Sequence, residues 1–494
     1  MIRWGWTGMS HDASLAVLDN NKILFAAHSE RYSRIKNDKW LHPNLIEEAL
    51  SYGKPDEVYY YENPWLKKTR QAAAKQFKLL SKQSPDSHLR QVSGLILPKS
   101  KFTTHHRSHA AAGYYTSPFT SAAVLVIDSI GEWETMSLWK GRGNKLHKIW
   151  SQSYPHSIGL WYSAMTQRIG LTPQEHEYIL MGMAAIGDPL KYKDEIINDF
   201  IAKFPTVNDP SIKFKRNCHR GCMDWRPDLN TPQDYADIAA AVQSIYEDVF
   251  EKMCTIAYCY DGSGRLVLAG GCALNCVANT KAFDRFDDVW IMPNPGDAGS
   301  SIGCVLAHTN EFVNFGNAFL GTNIPGKYPV DEIVNELLAN KITAVASGRA
   351  EFGPRALGHR SILADPRGDD VKDRVNNIKH RESFRPFAPM ILQEYAPKYF
   401  DMPTVSSKYM QYVVRCKYPE QFPAIVHYDG TSRVQTVSKT AGSIRKLLEV
   451  WYEKTGCPML LNTSLNIKGE PLVNDISDAR RWSEEYGVKV CLPE

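Results

Sequence analysis

The sequence lacks any apolar run long enough to span a membrane, and its opening residues, MIRWGWTGMSHD, lack the basic-then-apolar pattern of a secretion signal. We therefore expect a cytoplasmic protein without a membrane partner. The composition, with 43% hydrophobic and 23% charged residues, is that of a globular enzyme. Because 494 residues exceed what one compact core usually holds, the length predicts at least two domains.

Cysteine is absent before Cys218, and the later cysteines are scattered as far as Cys491. This usage predicts reduced thiols rather than a disulfide framework. The segment CHRGC, from Cys218 to Cys222, has the residue types of half a zinc motif. No second pair follows at the usual spacing, so a plain loop or an insertion for acceptor binding is the favoured interpretation.

Acidic residues are scarce between Lys67 and Lys101, where Asp86 stands against nine basic residues: Lys67, Lys68, Arg70, Lys75, Lys78, Lys82, Arg90, Lys99 and Lys101. A helix with a solvated basic surface explains this stretch. A binding patch for a polyanion such as nucleic acid is the alternative, and the sequence leaves both open.

Histidine is concentrated in TTHHRSHAAAGYY, which contains His105, His106 and His109. On a helix, residues four apart project from one face, so His105 and His109 could share an ion while His106 points elsewhere. The spacing alone leaves three interpretations: metal ligands, a basic surface, or ordinary residues of a helix.

Two stretches share one arrangement of apolar strand, polar turn and return strand: WGWTGMSHDASLAVLDNNKILFAAHSE and SAAVLVIDSIGEWETMSLWKGRGNKLHKIW. This repetition predicts an internally duplicated fold whose halves face each other across a cleft. Farther along, GRLVLAGGCALN indicates a buried strand, a glycine turn and a helix, a suitable cradle for a nucleotide. NPGDAGSSIG places Asp297 in another such loop. Ordinary strand-to-helix connections are the alternative.

A domain boundary is expected near residues 325–345. Beyond it, arginines lie among glycine and proline in GRAEFGPRALGHRSILADPR and RESFRPFAP, which favours fixed contacts to phosphate or carboxylate groups. The apolar strand in CPMLLNTSLN runs into Asn462, Thr463 and Ser464, a small polar cluster suited to a polar ligand.

Seven stretches of the chain, taken in order, resemble the O-carbamoyltransferases of the nodulation-factor, tobramycin and cephamycin type. They are HDASLAVLD, HHRSHAAAGYYTSPF, GGCALN, NPGDAGSSIG, GRAEFGPRALGHRSILADPR, RESFRPFAP and LNTSLNIKGEP. The matching blocks span nearly the whole chain. The resemblance implies an α/β protein of two parts. Residues 1–340 would form a duplicated actin/sugar-kinase-like domain, similar to the tRNA threonylcarbamoyl-transferases. Residues 341–494 would form a smaller α/β domain, similar to the threonylcarbamoyl-adenylate synthases.

The same resemblance implies a two-step reaction and two sites. The back domain would make carbamoyladenylate from ATP and carbamoyl phosphate, with Mg²⁺ as a further candidate ion, and the front domain would transfer the carbamoyl group to a hydroxyl. In the front site, Fe²⁺ or another divalent ion would be held by His105, His109, Asp128 and Asp297. His11 would serve the transferred group as a general base or orienting residue, and the nucleotide contacts would be Gly270, Gly271 and Asn275.

In the back site, the resemblance implies that Lys379 and Arg385 bind the carbamoyl and phosphate groups. The triphosphate or carbamoyl phosphate would be held by Arg355, Arg360 and Arg433, with Asn462 and Ser464 closing the pocket. Loop arginines also often support backbone carbonyls, so a structural role competes for each of them.

Several questions stay open at this level. The acceptor is either a sugar-like small molecule or a hydroxymethylated pyrimidine in DNA. The oligomeric state is undetermined, with a homodimer among the options. Threonylcarbamoylation of tRNA and a non-enzymatic nucleotide-binding module are the competing functions. The chain also departs from the family, because EYILMGMAAIG has Ile179 where a lysine is common. The segment 191–229 matches no motif of the family.

Overall fold

The computed structural model describes residues 1–77 and 84–493, so Lys78 and Lys82 of the basic stretch lie outside the described residues. In chain order the strands are β1 Ile2–Thr7, β2 Ser14–Asp19, β3 Lys22–His28, β4 Glu57–Tyr60, β5 Ser100–Phe102, β6 Ser121–Ile127, β7 Glu134–Arg142, β8 Lys145–Ser153, β9 Ile201–Lys203, β10 Lys213–Phe214, β11 Arg265–Ala269, β12 Asp288–Ile291, β13 Phe319–Ile324, β14 Ile342–Ala346, β15 Gly348–Glu351, β16 Arg360–Ala364, β17 Ala388–Leu392, β18 Val413–Arg415, β19 Thr431–Arg433, β20 Gln435–Val437, β21 Met459–Ser464 and β22 Val490–Cys491.

The α-helices are α1 Glu30–Ser33, α2 Pro43–Tyr52, α3 Pro64–Ala73, α4 Pro85–Ser93, α5 His105–Thr116, α6 Ile158–Arg168, α7 Glu177–Met183, α8 Lys193–Phe200, α9 Pro232–Asp261, α10 Cys276–Thr280, α11 Ser300–Thr309, α12 Val330–Asn340, α13 Val371–Ile378, α14 Ala396–Tyr399, α15 Gly442–Thr455 and α16 Ile476–Tyr486. None of the helices in the described ranges combines the length and apolar character needed to cross a bilayer.

The chain divides into two units. Unit 1 comprises Met1–Ser29 and Asn37–Gly316, and unit 2 comprises Glu30–Lys36 and Asn317–Glu494. The division falls before residue 340, the boundary expected from the sequence, because β13 pairs with β15 and α12 packs on α15 and β14. The short segment Glu30–Lys36 also belongs to unit 2, which no sequence pattern indicated.

Unit 1 contains the same five-stranded sheet twice. The strand orders are β3-β2-β1-β4-β5 and β8-β7-β6-β11-β12. In each sheet the first three strands along the chain pair antiparallel to one another. The fourth strand then pairs parallel to the first, and the fifth pairs parallel to the fourth. The two polar turns predicted from the sequence join β1 to β2 and β6 to β7. This repeated topology confirms the duplicated fold of the actin/sugar-kinase type.

Unit 2 is built around a six-stranded mixed sheet with the order β20-β17-β21-β16-β14-β22. Side chains alternate along its strands, so Ala344 and Ala346 lie in one apolar cluster while Val345 lies in another. Residues of α13 and α16 belong to the first cluster, and residues of α12 and α15 to the second. A sheet covered by helices on both faces confirms the expected α/β class.

Helix α5, which carries the three histidines, is buried along nearly its whole length, since Arg107 alone among its residues is not buried. It packs on α11, where Gly303 meets the stretch from Ser108 to Ala112. A Cβ at Gly303 would lie 2.0 Å from the Ser108 carbonyl oxygen and 2.8 Å from the Ala112 Cβ. The alanines and this glycine therefore allow the close approach of the two helices.

We expect Gly303→Ala to destabilise the protein by about 1–3 kcal/mol, because the added methyl group forces the α5 and α11 backbones apart. Urea denaturation followed by circular dichroism measures the change. Gly316→Ala is the matched control, since a Cβ there meets nothing within 4 Å. Equal stability of the two variants would contradict the packing described for α5 and α11.

Candidate active site

Four of the sequence-predicted residues converge in unit 1. His105 and His109 project from the first turns of α5, Asp128 follows the end of β6, and Asp297 lies in the loop between β12 and α11. One potential ligand atom from each of these four lies within 4.8 Å of all the others. Their side chains are almost fully removed from solvent, with exposures of 0–7%. This burial makes the interpretation of the histidines as a basic surface wrong.

The distances between these atoms suit a shared cation. His105 Nε2 lies 3.0 Å from His109 Nε2, 3.1 Å from Asp128 Oδ2 and 3.4 Å from Asp297 Oδ1. His109 Nε2 lies 3.3 Å from Asp297 Oδ1. Two ligand atoms that each lie about 2.1 Å from one ion are about 3.0 Å apart when they are neighbours in an octahedron. In a tetrahedron they are about 3.4 Å apart. The donor set of two imidazoles and two carboxylates fits a divalent first-row metal.

The electrostatics of the cluster point in the same direction. Burial favours a neutral His105, but Asp297 and Asp128 raise the pKa of His105 well above its ordinary value. Burial likewise opposes the charge of Asp297, yet His105 and His11 hold the pKa of that carboxyl well below its usual range. Two buried carboxylates need positive charge beside them, which protons or a metal ion can supply.

His106, set aside by the spacing argument, makes separate contacts. Its Nδ1 lies 2.7 Å from the Ser137 hydroxyl oxygen. Burial, followed by the charge of His105, lowers the pKa of His106 well below its usual value, so this ring is neutral. The outer nitrogen of His109, Nδ1, lies 3.2 Å from the Ser300 hydroxyl, which orients the ring toward the cluster.

Glu132 is a component of the site that the sequence did not indicate. The N-cap residue of α5, Thr104, makes no capping bond with its side chain. Both carboxylate oxygens of Glu132 instead accept from the His105 backbone N–H, at 3.1 and 3.0 Å, and one also accepts from the Asn63 N–H. This contact stabilises the start of α5 and fixes the backbone of a cluster residue.

His11 lies beside the cluster in the turn between β1 and β2. Its Nε2 is 3.5 Å from Asp297 Oδ2, its Nδ1 is 3.3 Å from Asp12 Oδ2, and its side chain is 45% exposed. Partial desolvation of the ring opposes protonation, but the carboxylates of Asp297 and Asp12 raise the pKa of His11 to about 9. A cation held by Asp297 would act against this increase.

The predicted nucleotide residues lie next to the cluster. Gly270 has a φ of +88°, and a Cβ there would lie 2.2 Å from the Ile127 carbonyl oxygen, so only glycine fits. The Gly271 N–H donates to Asp128 Oδ1 at 3.1 Å. Asn275 caps α10 through the Ala278 N–H. The structure thus gives Gly271 and Asn275 local structural roles, and contact with a nucleotide stays a prediction for all three.

In unit 2, Lys379 lies beside Ser464 at the end of β21. Its buried ammonium group contacts the Ser464 carbonyl oxygen and hydroxyl, and it lies 2.8 Å from the Asn466 carbonyl oxygen and 2.9 Å from its Oδ1. Burial, then Arg381 and Arg385, lower the pKa of Lys379 well below its usual value. Lys379 therefore holds the turn at residues 464–466, and a direct contact with substrate stays a prediction.

Asn462 is held in one orientation by a residue that the sequence did not indicate. Both hydrogens of its amide donate, to the Ala356 carbonyl oxygen at 3.1 Å and to Gln435 Oε1 at 2.8 Å. The Gln435 amide in turn donates to the Leu357 carbonyl oxygen at 3.0 Å. The side-chain oxygen of Asn462, Oδ1, is buried and has no hydrogen-bond partner among the described residues. Asn462 thus presents an acceptor.

The predicted role of Arg360 needs correction. Its side chain is fully buried, and all five N–H groups donate to backbone carbonyls at 3.0–3.1 Å, those of Asn474, Ser347, His359, Thr322 and Gly348. No N–H of this guanidinium is left to bind a phosphate. Arg360 ties together the segments around the site instead.

The other predicted arginines of unit 2 are half-buried. Arg385 pairs with Glu382 at 3.3 Å. Arg433 ends β19, and its buried Nε has no hydrogen-bond partner in the described part of the chain. Arg355 lies in the loop between β15 and β16, next to the carbonyl of Ala356 that accepts from Asn462. Binding of an anion by these three residues stays a prediction.

Two long segments of the chain match models of one protein family. Residues 66–306 match the family model of the carbamoyltransferase N-terminus, and residues 334–492 match that of the carbamoyltransferase C-terminus. Nodulation protein NolO of Bradyrhizobium diazoefficiens is 33% identical over 76% of this chain and 75% of its own. The chain belongs to the carbamoyltransferase family. The resemblance inferred from the motifs is confirmed, and the protein is an enzyme of carbamoyl transfer.

Other relatives of this carbamoyltransferase cover more of the chain. The Synechocystis sp. protein sll1178 is 33% identical over 97% of this chain and 93% of its own, and nodulation protein U of Rhizobium tropici is 28% identical over 96% and 92%. Among solved structures, T. kodakarensis HypF has a TM-score of 0.34 and 12% identity, covering 63% of this chain and 47% of that chain.

The structure also shows the surroundings of the cysteines, of the CHRGC segment and of Ile179 in this carbamoyltransferase. All ten cysteines are free thiols, as predicted. The CHRGC segment belongs to none of the metal-suited groups found in the described ranges, and Cys222 Sγ contacts the Ala164 carbonyl oxygen at 3.3 Å. The choice between a plain loop and an insertion for acceptor binding stays a prediction. Ile179, at the position of the common lysine, is 1% exposed, because it packs in the core.

We expect His109→Ala to remove bound metal from the purified carbamoyltransferase, because the variant loses one of four buried ligand atoms. Elemental analysis by mass spectrometry after metal loading and desalting measures the loss. His147→Ala, an exposed histidine on β8, is the control and should keep the metal content of the wild type. Equal metal content in both variants would count against the cluster as a metal site.

Proposed function

We propose that this carbamoyltransferase is an ATP-dependent O-carbamoyltransferase with one half-reaction in each unit. In unit 2, carbamoyl phosphate, ATP and water give carbamoyladenylate, phosphate and pyrophosphate. In unit 1, the oxygen of an acceptor hydroxyl bonds to the carbamoyl carbon, the bond from that carbon to the AMP phosphate breaks, and AMP leaves. The hydroxyl proton passes to a base of the protein.

The observation that carries the proposal is the buried cluster of His105, His109, Asp128 and Asp297 with His11 at its edge. Acyl transfer to a weakly acidic hydroxyl requires a base for the proton and positive charge near the developing oxyanion. His11 is half-exposed, so an acceptor can reach it, and Asp12 orients its ring. A divalent ion held by the four residues would polarise the carbamoyl carbonyl and stabilise the leaving phosphate.

The proton has a defined route in this proposal. A cation held by Asp297 would oppose protonation of His11, and the neutral ring of His11 could then accept the hydroxyl proton. The Nδ1 atom of His11 faces Asp12 Oδ2 at 3.3 Å, which leaves Nε2 directed to the side of the cluster. We assign the general base to Nε2 of His11.

The adenylate-forming step places two anions, ATP and carbamoyl phosphate, next to each other. Such a reaction needs fixed cations, and guanidinium groups suit phosphate oxygens. We assign this task to Arg355, Arg385 and Arg433, each of which is half-buried in unit 2. Lys379 and Asn462 would shape the pocket through the contacts described above.

For the acceptor we propose a sugar-like small molecule. The nucleic-acid alternative rested on the basic stretch, and the structure neutralises part of it: Lys67 pairs with Glu62, Lys101 pairs with Glu57, and Arg70 is buried against the Glu132 carbonyl. One observation favours DNA as second candidate. Trp65 is 74% exposed, with the Lys68 ammonium 5.5 Å from its ring, as in a stacking surface for bases.

We expect Arg385→Ala to lower carbamoyl-phosphate-dependent pyrophosphate release by at least about 100-fold, since it removes a charged contact to an anionic substrate. An enzyme-coupled pyrophosphate assay measures it, and metal content should stay at the wild-type level. Arg374→Ala, which removes an exposed ion pair with Asp370 on α13, should retain activity. Release that depends on threonine and bicarbonate instead would replace this function with tRNA modification.

The acceptor is tested with carbamoyl phosphate labelled with ¹⁴C at the carbonyl carbon. We expect label on aminoglycosides or oligosaccharides in a reaction that requires ATP, and none on DNA containing hydroxymethylated pyrimidine. Label found only on the DNA would reverse the choice of acceptor. Trp65→Ala then distinguishes the two, because it should affect transfer to DNA alone.

A further inference from the structure

The segment Glu30–Lys36 is anchored inside unit 2 by specific contacts. The Arg34 guanidinium donates to the carbonyl oxygens of Leu472, at 2.7 Å, and Pro471, at 2.9 Å, and pairs with Asp478 at 3.3 Å. The Tyr32 hydroxyl lies 2.9 Å from the Thr322 hydroxyl. Both residues follow Arg31 closely, so these bonds hold the segment in unit 2 on the carboxyl-terminal side of Arg31.

Arg31 is 4% exposed, yet its guanidinium is only partly satisfied. Nη2 donates to the Gly353 carbonyl oxygen at 2.9 Å. Nε and Nη1 are buried and have no hydrogen-bond partner in the described residues, and the nearest recorded carboxylate, Glu30, is 3.7 Å from Nε. Buried donors of a charged group are costly when unpaired, so each of these two nitrogens needs an acceptor of its own.

A matching acceptor lies two residues from Gly353. Glu351 is 3% exposed, and its Oε1 accepts from the backbone N–H groups of Leu357, His359 and Arg360 at 2.7–3.3 Å. Its other oxygen, Oε2, is buried without a hydrogen-bond partner in the part of the chain that is described. Burial lowers the pKa of Arg31, and the Glu30 and Glu351 carboxylates oppose that shift, so the charges of Arg31 and Glu351 act on each other.

The buried donors and acceptors decide what such a site can take. Lys36 pairs with Glu30 at 3.1 Å, which leaves Arg31 and Glu351 as one donor and one acceptor of opposite charge. A phosphate group offers only acceptor oxygens, so it would place its negative charge near Glu351 and leave Oε2 of that residue without a donor. A neutral group with an acceptor oxygen for Arg31 Nη1 and an N–H donor for Glu351 Oε2 gives both atoms a partner. The planar end of a carbamoyl compound, H₂N–C(=O)–, has this combination.

We propose that Arg31 and Glu351 recognise the carbamoyl end of the substrate in unit 2, with Arg31 Nη1 donating to its carbonyl oxygen and Glu351 Oε2 accepting from its amino group. This inference rests on the proposed function, in which unit 2 binds carbamoyl phosphate. It makes Glu351 the specificity determinant, because acyl phosphates that carry a methyl group in place of the amino group share the carbonyl but offer no donor.

Glu351→Gln tests the pair with little change of shape. The three backbone N–H groups need an acceptor, so they hold the amide oxygen and turn the new NH₂ group toward the substrate amino group. Isothermal titration compares carbamoyl phosphate with acetyl phosphate on the full-length protein. We expect the wild type to prefer carbamoyl phosphate by at least about 100-fold, and the preference to fall at least about 10-fold in Glu351→Gln.

Arg31→Lys gives a second, different signature. It keeps the charge but removes the Nη1 donor, so both ligands should bind at least about 10-fold more weakly, while the ratio of their affinities should stay unchanged. Arg34→Lys is the control on the same segment; it should lower the thermal midpoint and leave both affinities unchanged.

The outcomes separate cleanly. An unchanged preference in Glu351→Gln, or unchanged affinities in Arg31→Lys, would overturn the inference and leave water as the partner of these atoms. Absence of carbamoyl phosphate binding to the wild type would also overturn it. Selective binding without pyrophosphate release from ATP would support the pair while refuting the proposed adenylate chemistry.

Discussion

The convergence of two carboxylates and two imidazoles in a space almost closed to solvent is the constraint around which unit 1 is organised. Such a group is stable only when positive charge and hydrogen bonds compensate for the lost hydration of Asp128 and Asp297. The surrounding structure supplies both. Glu132 fixes the first residue of α5, Ser300 orients His109, and the Gly271 N–H binds Asp128. Close packing of α5 on α11 then holds His105 and His109 next to Asp128 and Asp297, which follow the ends of β6 and β12.

Much of this site could be predicted because the signals are local. The four-residue spacing of His105 and His109 on a helix needs no tertiary information. Asp128 and Asp297 each follow a recognisable strand, and the family resemblance connects them to the histidines. Glu132 gave no such signal, since it reaches α5 from 27 positions away and takes over a capping role that Thr104 would ordinarily fill.

Arginine roles were harder to predict for a physical reason. Arg355 and Arg360 stand five residues apart, and nothing in their local sequence separates a half-buried arginine from one that bonds five carbonyls. That distinction depends on Ser347, Thr322 and Asn474, which lie in distant parts of unit 2. Gln435 was missed for the same reason, because its contact with Asn462 exists only once β20, β17 and β21 are assembled. The strand alternation and the α/β class, by contrast, follow from patterns within each segment.

The placement of Glu30–Lys36 within unit 2 has a consequence for how the protein is made. Unit 2 consists of two pieces of chain separated by most of unit 1. During synthesis, the short piece leaves the ribosome on the order of tens of seconds before residue 317 is added. Arg31 and Arg34 gain their carbonyl partners in unit 2 only after residues 353, 471 and 472 have been added, and a single cut in the gene cannot yield two complete units. Separation of the two units into independent proteins would therefore require the short segment to be transplanted with unit 2.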